Sequence, residues 1–132
     1  MNNKAHTGYW KTGLRGEYIV HKLLKGSAWM QITKFQVNHH DLEWKGIKIG
    51  VKTRTTLTRS SRTHFKKGII FSIKTEADAD ILVLVGIFYE LKPKFYFWVK
   101  KREEVKSSYY AKFKDSIKKR SLAEEIIKIA NQ

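Results

Sequence analysis

The sequence predicts an α/β domain: a mixed central sheet of about five strands with helices packed against it. Three observations carry this expectation. "ILVLVGIF" from Ile81 to Phe88 is a short unbroken apolar run, the pattern of a strand buried on both faces at a central, parallel position. Lys45-Gly46 separates two alternating segments, as a two-residue hairpin connection does. Segments with apolar residues at helical spacing stand near both ends of the chain.

Taken in order, Thr12 is a candidate cap for a helix through "GLRGEYIVHKLLKG", in which Leu14, Tyr18, Leu23 and Leu24 keep near one face and Gly26 supplies the stop. Gly13 and Gly16 cost helix propensity, which predicts a close neighbour at those positions. "AWMQITKFQV", Ala28 to Val37, reads as a strand. Counting outward from the Lys45-Gly46 turn, Trp44 opposes Ile47, Glu43 opposes Lys48, Leu42 opposes Ile49 and Asp41 opposes Gly50. Alternation then puts Asp41, Glu43, Lys48, Gly50 and Lys52 on one face, and Leu42, Trp44, Ile47, Ile49 and Val51 on the other. Residues 53 to 68 are polar and without a clear period, so they read as a long loop. "IIFSI" is a further strand, "KTEADAD" holds a turn of helix with Asp78 and Asp80 at a strand entrance, and "KFYFWV" after Lys92-Pro93 is a neighbour of the central strand. A parallel pairing of the Gly50 and Ile81 strands needs a crossover, which the intervening segment supplies. Beyond that, Tyr109, Tyr110, Phe113 and Ile117 fall at helical spacing, and Ser121 to Glu124 spells a capping box for a last helix.

Composition sets the class of partner. The chain has 132 residues, 42% of them hydrophobic and 13% aromatic, enough for one folded domain over residues 1–132 and too apolar for a disordered basic tail. Its net charge is +15, from 27 Lys and Arg against 12 Asp and Glu spread along its length. A folded surface this positive attracts polyanions, nucleic acid foremost. No cysteine is present, which excludes disulfides, thiolate nucleophiles and Cys-based zinc sites. The first residues hold no apolar stretch of signal-peptide type and no run is long enough for a membrane span, so the expectation is an intracellular (cytoplasmic) protein with no membrane partner.

Hydrolysing a phosphodiester takes an activated water, relief of charge on the phosphate and help for the departing oxygen. Carboxylates with a hard cation, and a lysine beside them, supply these. Asp41 and Lys52 project from adjacent strands toward one face. The order of "GLRGE" at residues 13 to 17, a hairpin bearing Asp41, "IKIGVKT" ending on Lys52-Thr53, and the later strands in "DADILVLVGIF" and "KFYFWV" resembles the PD-(D/E)XK nuclease superfamily. The likeness covers about residues 12 to 105, leaving helices at 107–130 outside it, and is nearest to the small Holliday-junction-resolvase-like and homing-endonuclease-like branches.

That resemblance implies a restriction-endonuclease-like core and a metal-dependent DNA endonuclease. Asp41 would bind Mg²⁺ or Mn²⁺, the Val51 carbonyl would be a further ligand, Lys52 the catalytic lysine, and Glu17 an auxiliary ligand or shaper of the site. It also implies a homodimer, with DNA as partner and RNA not excluded. Two positions depart from the pattern: His40 stands where proline is common, and Gly50 stands where a carboxylate or glutamine belongs. Three explanations stay open at Gly50: Glu43 or Glu17 supplies the missing acid, or the fold binds nucleic acid without cutting, or this chain carries an inactivating change there.

Each residue also has a plainer reading. Asp41 and Lys52 alone would be a cross-strand ion pair worth about a few tenths to 1 kcal/mol, Glu17 a first-turn acid, and Gly50 a bulge or a point of close backbone approach. Adjacent histidines at 39 and 40 point apart, which speaks against a His-Asn-His nuclease site, and nothing fixes a fourth ligand for zinc at His39, His40 and His64. Arg54, Arg59, Arg62, Lys66 and Lys67 follow the candidate site closely and suit phosphate contacts that position a duplex without reading its sequence. The Lys-rich surface at Lys112, Lys114, Lys118, Lys119 and Arg120 reads as a solvated face adding diffuse attraction.

Overall fold

The computed structural model describes residues 4–30, 39–57, 67–73, 78–89 and 92–132. It is the α/β arrangement expected. A five-stranded mixed sheet holds β1 (Ala28–Trp29), β2 (Leu42–Trp44), β3 (Ile47–Leu57), β5 (Ile81–Tyr89) and β6 (Lys94–Lys101), in the order β1-β2-β3-β5-β6. A separate two-stranded ribbon joins β4 (Gly68–Ser72) to β7 (Ser108–Lys112). Helices α1 (Lys4–Leu23) and α2 (Leu122–Ala130) complete the chain.

The hairpin has the register counted from the sequence: Trp44 pairs with Ile47, Glu43 with Lys48 and Leu42 with Ile49. Lys45 (φ 52°) and Gly46 (φ 77°) both take the left-handed conformation, as a primed turn requires to match the twist of its strands. The parallel pairing is also present, with Ile49 beside Ile81 and Lys52 beside Leu84.

Two cores follow from strand alternation. On one face, Leu42, Ile49, Val51, Val83, Val85 and Phe97 pack with Val20 of α1, with Leu24 just beyond its end, and with Leu122 and Ile126 of α2. On the other, Leu82, Leu84 and Trp98 meet Ile69, Phe71 and Ala111 of the ribbon. Seven consecutive residues of β5, Ile81 to Ile87, are buried because layers lie on both sides.

Three expectations change. The first helix starts at Lys4, so Thr12 is interior and caps nothing; Gly13 weakens the ladder by about 1 kcal/mol relative to alanine without breaking it. The segment read as a long loop from 53 is still strand to Leu57, because β3 stays paired with β5 as far as Leu57 beside Tyr89; residues 58–66, like 31–38 of the expected strand and 74–77 of the expected helical turn, lie outside the described residues. The segment read as a helix around Tyr109 is β7, followed by a 3₁₀ turn at Phe113–Asp115. Tyr109, Ala111 and Phe113 also recur at period two, and packing on Trp98 decides between the two periods. The last helix is present, although the Ser121 side chain makes no capping hydrogen bond.

Candidate nucleic-acid site at the β2–β3 edge

Asp41 is the only buried charged residue among the described residues, at 3% exposure. It precedes β2 and ties three strands together. Its N–H donates to the Ile49 carbonyl (2.8 Å), its carbonyl accepts from the Met30 N–H (2.9 Å), and its Oδ2 accepts from the Val51 N–H (2.7 Å). The carboxylate therefore takes the place of a neighbouring strand where β2 ends and β3 continues. His39 Nε2 lies 3.5 Å from Asp41 Oδ1, while His39 Nδ1 is buried without a hydrogen-bond partner among the described residues.

Lys52 is the next residue along β3, half-buried, on the ribbon side of the sheet with Leu84. Gly50 is buried two positions earlier and contributes no carboxylate. The other proposed acids are placed as follows. Glu17 Oε1 accepts from the Trp29 indole N–H (2.8 Å), and Trp29 packs with the helix-side core. Glu43 Oε2 lies 2.7 Å from His40 Nε2, and His40 Nδ1 lies 2.6 Å from Asp78 Oδ2. Lys48 Nζ stands 3.5 Å from the other Asp78 oxygen. The His40 hydrogen bond holds the Asp78 carboxyl below its ordinary range against an opposing desolvation, with a lesser contribution from the charge of Lys48.

The structure thus brings Asp41, Val51 and His39 together at the sheet edge and gathers His40, Glu43, Asp78 and Lys48 into a second cluster. The His40 cluster was not anticipated; the complementary charges of His40 and Glu43 three residues apart were its only local signal, since Asp78 arrives from a distant segment. Adjacent histidines do diverge, His39 toward Asp41 and His40 toward Glu43. Of the basic residues proposed for phosphate contact, Arg54 donates from Nη1 to the Ile70 carbonyl (2.7 Å) and Lys67 is exposed at the start of the ribbon. Arg59, Arg62 and Lys66, with His64, lie outside the described residues.

The donors suit a hard cation sparsely. In an extended strand a residue's N–H and C=O leave on the same side, so the Val51 carbonyl faces the edge where its N–H meets Asp41. One carboxylate and one carbonyl are compatible with Mg²⁺, which keeps several waters and shares its remaining positions with substrate phosphate. Among the described residues no group of three or more His, Asp or Glu side chains is placed to hold a metal. Among them, too, no helix is long and apolar enough to cross a membrane. Comparison with family models, with curated proteins and with solved structures found no match.

Proposed function

We propose that the protein is a metal-dependent endonuclease that hydrolyses phosphodiester bonds in DNA. The observation that carries this reading is the placement of a buried carboxylate, Asp41, on the amide of Val51, the residue directly before Lys52, on a chain of net charge +15. Asp41 and the Val51 carbonyl would hold Mg²⁺ or Mn²⁺, with Glu17 or Glu43 as an auxiliary acid. When bound, such an ion polarises water and offsets phosphate charge. Lys52 brings an ammonium to the scissile phosphate and stabilises the charge that develops there. Arg54, Lys67 and the basic residues between them position the backbone by charge.

Two antiparallel DNA strands are served by two copies related by a two-fold axis, so a homodimer goes with this reading, and so does an intracellular place of action. Gly50 favours a second reading, a nuclease-fold module that binds nucleic acid without cutting, since the position that would complete the donor set has no side chain. Incubation with supercoiled, linear and four-way-junction DNA in Mg²⁺ or Mn²⁺ separates the two. Cutting that disappears in Asp41→Asn and Lys52→Ala supports the enzyme; tight binding with no cutting in either metal leaves the binding module.

A further inference from the structure

The β4–β7 ribbon packs against the sheet. Its inner residues, Ile69, Phe71 and Ala111, are buried against Leu82, Leu84 and Trp98. Its outer face centres on the cross-strand pair Ile70 and Tyr110, which are 43% and 39% exposed. Large apolar side chains left in water on a paired sheet face call for a partner.

Gly68 shapes the aromatic member of that pair. A β-carbon at this position would stand 2.3 Å from the Ala111 carbonyl oxygen and 3.0 Å from Tyr110 Cε1, so glycine lets the two strands approach closely and brings the edge of the phenol ring beside its bare backbone. Around the ring are exposed Lys67, exposed Lys112 opposite Gly68, and Ser72 opposite Ser108. Acidic side chains are absent from both strands.

The platform adjoins the candidate site. Arg54 lies two residues beyond Lys52 on the same face of β3, about 7 Å further along the strand, and its guanidinium grips the Ile70 carbonyl. A polynucleotide with a phosphate at Lys52 therefore passes the ribbon within a few nucleotides, at about 3.4 Å per nucleotide if stacked.

A β surface with an exposed aromatic ring between cations matches unpaired nucleotides: bases stack on the ring while lysines follow the phosphates. A base paired inside a duplex keeps its faces covered by its neighbours and has no use for a ring presented this way. Resting on the proposed nuclease reading, we infer that the outer face of the β4–β7 ribbon binds a single-stranded segment next to the cleavage site, with Tyr110 as the stacking residue, so that the preferred substrate is DNA with an unpaired stretch.

Fluorescence anisotropy without divalent cations tests this on three probes: a blunt duplex, the same duplex with a thymidine overhang, and a thymidine single strand. The intact protein binds the overhang about tenfold or more tighter than the blunt duplex. Tyr110→Ala loses that preference while its blunt-duplex affinity holds, and Tyr110→Phe retains it. Cross-linking of the intact protein to 5-iodouridine in the overhang, mapped to residues 67–72 or 108–112, gives a readout independent of how the variants fold. Blunt-duplex binding with no overhang preference, an equal loss on all three probes in Tyr110→Ala, or cross-links confined to other segments overturns the ribbon assignment and leaves the nuclease reading intact. No binding to any probe overturns both.

Discussion

The Val51 amide donates to Asp41 Oδ2 at 2.7 Å, so the acid proposed for chemistry also terminates a β-ladder. These two duties separate by substitution. Asp41→Asn keeps a carbonyl oxygen for Val51 and is expected to melt near the parent while losing DNA cleavage. Asp41→Ala leaves a buried N–H unpaired, which costs about 1–3 kcal/mol. Urea titrations of both variants, set beside cleavage assays, check the split.

Gly50→Glu returns a carboxylate to the strand beside Asp41. The expected outcome is faster Mg²⁺-dependent cleavage than in the parent, and metal binding detectable by calorimetry without DNA. No gain in either measurement would show that the edge has been remodelled around the glycine.

Gly16 and Gly13 should respond in opposite directions to alanine. A β-carbon at Gly16 overlaps Thr53 Oγ1 and comes within 2.8 and 2.9 Å of Thr53 Cβ and Cγ2, whereas one at Gly13 meets nothing within 4 Å among the described residues. Thr53 is β-branched and stiff, so no rotamer clears the added methyl, and Gly16→Ala is expected to cost about 1–3 kcal/mol. Gly13→Ala gains about 0.5–1 kcal/mol of helix propensity. Thermal melts of the two variants, with Gly16→Ala/Thr53→Ala as the relieving pair, check both signs.

Lys45 sits in the left-handed region at φ 52°, where asparagine and glycine are at less cost than lysine. Lys45→Asn is expected to raise stability by about 0.5–1 kcal/mol, read as a higher urea midpoint with unchanged slope.

The Asp78 carboxyl, held low first by its His40 hydrogen bond, stabilises the fold when ionised. Its contribution is complete above the unfolded-state value, about pH 4, and disappears as pH falls through the lower folded value. Acid titrations followed by circular dichroism should therefore show a shallower loss below about pH 4 in Asp78→Asn than in the parent.

Much of the fold was legible because its signals are local. Lys45-Gly46 fixed the hairpin register by counting, and the unbroken run from Ile81 announced a strand covered on both sides. The ribbon was not, because β4 and β7 pair Phe71 with Tyr109 across most of the remaining chain, and Tyr109, Tyr110 and Phe113 satisfy a helical spacing as readily as an extended one. At the candidate site, the facing of Glu43 and Lys48 followed from the turn. The burial of Asp41 on an amide did not, since it depends on where β2 stops and β3 continues. Gly16 foretold a close neighbour, but only packing shows that neighbour to be Thr53 and leaves Gly13 clear.

Both coverings of the sheet are completed by residues made after its strands: β7 completes the ribbon over Leu82 and Trp98, and α2 brings Leu122 and Ile126 to the side that α1 already lines. During synthesis, β5 and β6 therefore leave the ribosome with neither layer complete. Until residues 108–130 have emerged, a nascent chain of this sequence presents incompletely covered apolar strands, the condition in which transient aggregation competes with folding. Its expression yield should accordingly depend on holding chaperones more than its finished stability would suggest.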